Sequence, residues 1–148
     1  GGPGSWLLAM PAHHIAGIQV LVRSLVAGVD PLCLDLSDGF SIPAFARAAH
    51  KLAATGDRSY TGLTPMQLAK AMDSLEGIEA LRTFDAILVG GAATHPQLLD
   101  AAVTRIGNSP TNFSSVDDFE NAENETATTD EGHLDERPRL YRYEGNMT

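Results

Sequence analysis

Short strand-like segments alternate with helix-like segments along residues 6–106, and this alternation constrains the fold more than any other feature of the sequence. The predicted strands are short segments at 6–10, 32–36, 60–63 and 85–90, of which 32–36 is continuously apolar apart from Asp35. The helices predicted after them are 14–27, 41–54, 64–72, 75–81 and 94–106. Strands that alternate with helices favour a mainly parallel sheet with helices on its faces, so we expect an α/β fold.

Local signals support several of these helices. Apolar residues at helical spacing in 14–27 predict an amphipathic helix. Thr64-Pro-Met-Gln67 and Thr94-His-Pro-Gln97 have the pattern of a capping box, in which the first and fourth residues satisfy free amides at a helix start. Gly107 stands where a glycine ends a helix.

The regular pattern stops at residue 107. The last 42 positions, 107–148, hold 10 acidic and 3 basic side chains, so they carry most of the net charge of −9. Such a composition buries too little apolar surface to offset the entropy of ordering. We therefore expect residues 1–106 to form the α/β unit and 107–148 to be an acidic, disordered tail, although residues 138–144 could add a short strand.

Charge and cysteine content narrow the classes of function. A net charge of −9 argues against nucleic acid or an anionic membrane as a partner, and no apolar stretch reaches the ~20 residues of a membrane span. The first residues lack the positive charge of a signal peptide. The single cysteine, Cys33, cannot form an internal disulfide and is expected to be buried, which suits a reducing, cytoplasmic setting.

Three segments follow predicted strands and carry candidate site residues. They are Met10-Pro-Ala-His-His-Ile-Ala-Gly17, Thr64-Pro-Met-Gln-Leu68 and Gly90-Gly-Ala92. The carboxyl ends of parallel strands are where α/β folds place ligands. Each segment also has a purely structural interpretation: a histidine bonded to the backbone at a helix start, a capped helix, and an ordinary strand-to-helix turn.

In this order, the three segments resemble the adenylate-forming acyl- and aryl-CoA ligases. Residues 10–17 are similar to the family segment L-P-x-F-H-x-x-G, with His14 at the family histidine and His13 at its aromatic position. Residues 64–68 resemble the end of S-L-V-P-T-Q-L, and the strand before Gly90 resembles the family strand that leads into G-G-A. The resemblance implies part of the large N-terminal domain of such an enzyme.

The resemblance also implies ligands and roles. It assigns His14, Thr64, Met66 and Gln67 to a small aromatic or acyl carboxylic acid, and Gly90, Gly91 and Ala92 to the adenine of an adenylate. It implies ATP, Mg²⁺ and CoA for the full family enzyme, with none expected bound to this chain. No residue is assigned to catalysis. No metal site is expected, since zinc spacings are absent and the rings of His13 and His14 are expected to point apart.

Several family elements have no counterpart in the sequence: the phosphate loop ending in Pro-Lys, the segment Y-G-x-T-E, the ribose-binding aspartate and the catalytic lysine. We therefore expect this chain alone to be inactive. The alternative hypothesis is a non-catalytic α/β module whose acidic tail binds a basic partner. Because flanking strands of the family sheet are missing, an unpaired strand edge is also expected to favour self-association.

Overall fold

A computed structural model describes residues 3–107, 110–113 and 139–143, with side chains for 3–106. The strands are β1 (Ser5–Leu8), β2 (Leu32–Cys33), β3 (Ser59–Leu63), β4 (Ala86–Val89), β5 (Pro110–Phe113) and β6 (Arg139–Tyr143). The helices are α1 (Ile15–Ala27), α2 (Ile42–Ala53), α3 (Pro65–Met72), α4 (Leu75–Leu81) and α5 (Pro96–Ala102), and a π-helical turn over Val103–Gly107 follows α5.

The strands form one sheet in the order β2-β1-β3-β4-β6-β5, and every neighbouring pair is parallel. In the centre of the sheet Leu8 is paired with Gly62, and Leu63 with Val89. The predicted α/β architecture with a parallel sheet is confirmed. None of the helices in the described part of the chain is long and apolar enough to cross a membrane.

The helices are divided unequally between the two faces of the sheet. Helices α2, α3, α4 and α5 bury their apolar residues in the larger core, whereas α1 contributes Val20 to a smaller core with Trp6, Leu8, Met10 and Tyr60. Chain direction explains the division. The step from β1 to β2 runs toward one sheet edge, and the steps from β2 to β3 and β3 to β4 run toward the other. Right-handed crossovers then place α1 alone on its face.

Aromatic side chains occupy the centre of the larger core. Phe45 of α2 is fully buried, and its ring lies 5.2 Å from that of Phe40 and 5.9 Å from that of Phe84. Leu7, Leu63 and other fully buried aliphatic residues surround them. Burial of this kind supplies most of the free energy that holds such a domain together.

The last predicted helix starts and ends differently from expectation. Helix α5 begins at Pro96 with His95 as its N-cap, and the His95 side chain makes no capping bond. The capping box predicted at Thr94 is therefore wrong: the N-cap lies one residue later, and the Thr94 side chain is buried. Gly107 ends the π-helical turn and is not a capping glycine for α5, whose C-cap is Val103.

Strand β2 also departs from expectation. The predicted buried strand 32–36 is reduced to Leu32–Cys33, and Cys33 is exposed. The reason lies in the topology: β2 is an edge strand that pairs only with β1, so one side has no neighbouring strand. An exposed thiol is still compatible with a reducing environment.

Two segments of the predicted tail form strands. Strand β6 lies within residues 138–144, where a short strand is predicted, while β5 falls in the part predicted to be disordered. Residues 108–109, 114–138 and 144–148 lie outside the described residues. The boundary between 1–106 and 107–148, and the alternative of an acidic interaction tail, stay predictions.

Candidate functional site

Strands β1, β3 and β4 are neighbours in the sheet, and each of the three predicted segments follows one of them. His14 precedes α1 after β1, Thr64 directly follows β3, and Gly90 directly follows β4. Since all three strands run in the same direction, the segments emerge at one end of the sheet, which we call the carboxyl edge. Ligands of parallel α/β sheets bind at this end.

Thr64 and Gln67 connect two of the segments at the carboxyl edge. The Thr64 amide donates to Gln67 Oε1 at 2.9 Å, and the Gln67 amide donates to Thr64 Oγ1 at 3.2 Å, which confirms the predicted capping box. Gln67 Nε2 donates to the Ala9 carbonyl oxygen at 2.8 Å. One side chain thus fixes the start of α3 and holds it against the end of β1. Met66, in the first turn of α3, is 83% exposed.

The glycines after β4 lie against the same turn. The Gly90 amide donates to the Leu63 carbonyl oxygen at 3.1 Å, and Gly91 has a φ of 86°. That conformation favours glycine, which has no Cβ to clash. A Cβ built on Gly91 would lie 3.9 Å from the Thr64 methyl carbon. Gly91 and Ala92 are exposed, so their backbone offers a surface that a flat ring can approach closely.

His14 is the N-cap of α1, but its side chain makes no capping hydrogen bond. The purely structural interpretation, in which the imidazole caps the start of α1, is therefore wrong for His14. Its ring is exposed and lies 4.5 Å from the ring of His13 at an angle of 36°. The expectation that the two rings point apart is wrong, because the rings lie next to each other.

The electrostatics of the carboxyl edge suit an anion. The N-terminal ends of α1 and α3 both lie there, and helix N-termini carry partial positive charge. No three histidine, cysteine, aspartate or glutamate side chains within the described ranges form a metal-binding group. Helix N-termini of this kind can accept a carboxylate or phosphate group.

Two further polar residues follow strands of the sheet and were not assigned to the site from the sequence. Asp35 follows β2 and accepts hydrogen bonds from the hydroxyl and the amide of Ser37, which lower the pKa of its carboxyl group. Thr94 is buried in the loop between β4 and α5. The position of Asp35 two residues after β2 was the available signal there, whereas Thr94 was assigned from the sequence only to a helix cap.

Comparison with known proteins supports the relationship indicated by these segments. No family model matches the chain. A protein of Mycobacterium tuberculosis named "Probable 2-succinylbenzoate–CoA ligase" is 47% identical over 102 residues, which are 69% of this chain and 26% of that protein. The 2-succinylbenzoate–CoA ligase of Staphylococcus epidermidis is 27% identical over 103 residues, covering 67% of this chain and 19% of that protein.

A solved structure shares the fold. O-succinylbenzoate coenzyme A synthetase (MenE) from Bacillus subtilis, in complex with AMP, superimposes with a TM-score of 0.53 at 21% sequence identity. The match covers 70% of this chain and 20% of that structure.

The parallel α/β fold and the sequence similarity relate this chain to the adenylate-forming ligases, as its motifs indicate. Within that class it is a homologue of part of 2-succinylbenzoate–CoA ligase, and it spans about a quarter of the Mycobacterium tuberculosis relative. The assignment of individual site residues stays a prediction.

Proposed function

We propose that this chain is part of the acid- and nucleotide-binding domain of a 2-succinylbenzoate–CoA ligase of menaquinone biosynthesis, located in the cytoplasm. In the complete reaction, a carboxylate oxygen attacks the α-phosphorus of ATP, and pyrophosphate leaves. The thiol of CoA then attacks the acyl carbonyl, AMP leaves with the former carboxylate oxygen, and the thiol proton passes to solvent. The observation that carries the proposal is the similarity of 102 residues to the Mycobacterium tuberculosis ligase.

The carboxyl edge supports a division of roles within this proposal. Gly91 and Ala92 present exposed backbone for the adenine ring, and Gly90 holds that loop against β3. His14 and Met66 offer exposed side chains to the acid. Thr64 and Gln67 are positioning residues, since their polar atoms are engaged in the capping box and in the bond to Ala9.

The same residues do not supply the chemistry of adenylation. Attack on the α-phosphorus builds up negative charge, which enzymes stabilise with lysine, arginine or a metal ion at the reacting group. The carboxyl edge presents no metal-binding group in the described part of the chain, so we assign no step to Mg²⁺. The sequence also lacks the Pro-Lys phosphate loop of the family.

We therefore expect the purified chain to show no ATP–pyrophosphate exchange with 2-succinylbenzoate. Exchange of labelled pyrophosphate into ATP measures the adenylation step directly, and the full-length Mycobacterium tuberculosis relative is the positive control. Exchange clearly above a protein-free blank would show that the chain holds a complete adenylation site and would contradict this part of the proposal.

A further inference from the structure

Gln67 makes more hydrogen bonds than the start of a helix requires. Its Oε1 accepts from the Thr64 amide at 2.9 Å, which completes the capping box. Its Nε2 also donates to the carbonyl oxygen of Ala9 at 2.8 Å, although Ala9 lies 58 positions earlier in the chain. A capping box needs only an acceptor at this position, so glutamate serves it as well as glutamine. An ionised carboxylate cannot donate, so only glutamine makes both bonds at neutral pH.

The bond to Ala9 reaches the turn between β1 and α1, which carries His14. Ala9 follows β1 and is fully buried. Two residues later, the carbonyl oxygen of Pro11 accepts from the His14 amide at 3.2 Å. Gly17, near the start of α1, packs against the same carbonyl group, since a Cβ on Gly17 would lie 2.4 Å from the Pro11 oxygen. The turn is therefore held by α1 through Gly17 and by α3 through Gln67.

We propose that Gln67 is a positioning residue that fixes the turn of His14 relative to the start of α3 through its bond to the Ala9 carbonyl oxygen. The inference rests on the proposed function only in giving His14 an acid to contact. The position of the turn is a property of the free chain. A buried carbonyl group that loses its hydrogen bond is costly, so loss of the Gln67 donor should disturb the turn.

A role in helix capping alone makes a different prediction. If Gln67 served only α3, glutamate should replace it without effect, because a negative charge is favourable in the first turn of a helix. If Gln67 also positions the turn of His14, Gln67→Glu should disturb that turn and leave the start of α3 intact. The substitution puts a second acceptor against the Ala9 carbonyl oxygen, where the wild type has a donor.

Amide chemical shifts and amide exchange of the ligand-free Gln67→Glu variant at pH 7 test the proposal. Residues 9–14 are expected to shift, and the His14 amide to exchange about five times faster than in the wild type. The amide of residue 67, which donates to Thr64 Oγ1, is expected to keep its protection. The control is Gln97→Glu, which adds the same charge at an exposed position in the first turn of α5 and should leave residues 9–14 unchanged.

Low pH provides a rescue within the same variant. A protonated carboxyl group carries a carbonyl oxygen and an O–H in place of Oε1 and Nε2, so it can make both bonds. Its pKa is expected to lie above the ordinary glutamate value of about 4.3, because the Ala9 carbonyl oxygen favours the protonated form. Between pH 7 and pH 4, the shifts of residues 9–14 should therefore return toward those of the wild type. His13 and His14 titrate in all three proteins, so differences measured at one pH report on the substituted position.

The proposal is overturned if Gln67→Glu leaves residues 9–14 as in the wild type, if Gln97→Glu disturbs them equally, or if low pH brings no return. A Gln67→Glu variant that is unfolded at both pH values also overturns it, because Gln67 would then hold the whole fold and not one turn. Titration with 2-succinylbenzoate separates the proposed function from this inference. A wild type that binds no acid contradicts the proposed acid site, whereas the ligand-free comparison alone decides the role of Gln67.

Discussion

Replacement of Phe45 by alanine is expected to lower the free energy of unfolding by about 3–5 kcal/mol. The ring is fully buried between Phe40 and Phe84, and α2 brings it to the centre of the larger core. Removal of the ring leaves a cavity. The residues around it belong to several helices and strands, which cannot all shift to fill it. Small domains are stabilised by only about 5–15 kcal/mol, so the variant should be largely unfolded at moderate denaturant concentrations.

Urea titration followed by Trp6 fluorescence measures this loss of unfolding free energy. The single tryptophan lies in the smaller core, so its fluorescence reports unfolding on the other face of the sheet. Phe40→Ala is the matched control. Phe40 is partly exposed and contacts the same ring, so a clearly smaller loss is expected there. A loss below about 1 kcal/mol in Phe45→Ala would contradict the assignment of Phe45 to the centre of the core.

The second large effect is expected for Gly77→Ala in α4. Two physical effects oppose each other at this position. Alanine is favoured over glycine inside a helix by about 1 kcal/mol. However, a Cβ on Gly77 would lie 2.0 Å from the carbonyl oxygen of Ala71, so α4 would have to move away from α3. Overpacking against backbone costs about 1–3 kcal/mol or more, and we expect a net loss of about 2 kcal/mol.

The same urea titration shows whether Gly77→Ala lowers or raises the free energy of unfolding. Gly62→Ala serves as the control because it is also buried, yet its new Cβ would lie at an ordinary distance of 3.5 Å from Met10 and Val20. The control should change the unfolding free energy by less than about 1 kcal/mol. A more stable Gly77→Ala variant would mean that α3 and α4 do not approach each other as closely as described.

Features that depend on nearby residues were predictable from the sequence. The capping box at Thr64 needs only Gln67 three positions later, and both partners are present in the structure. The short strands predicted at 60–63 and 85–90 are both present, and β3 and β4 lie at or within a residue of those bounds. The three candidate segments follow parallel neighbouring strands, as the alternating pattern implies.

Features that depend on distant residues were not predictable. Whether Cys33 is buried depends on β2 being at the edge of the sheet, which no local pattern encodes. Thr94 has the spacing of a cap, but the helix starts one residue later and the Thr94 side chain is buried. The apolar residues of α1 predict an amphipathic helix, but only the topology shows that most of them face outward.

We predict that His14, residues 64–68 and residues 90–92 form one ligand-binding edge. Amide chemical-shift mapping of the labelled chain, titrated separately with AMP and with 2-succinylbenzoate, tests this prediction. AMP is expected to shift residues 90–92 and 64–68, and the acid to shift residues 13–14 and 64–68. His14→Ala should weaken acid binding several-fold, whereas His50→Ala, an exposed histidine in the last turn of α2, should not. Shifts that fall outside the carboxyl edge, or no shifts with either ligand at millimolar concentration, would show that these segments do not form a binding site.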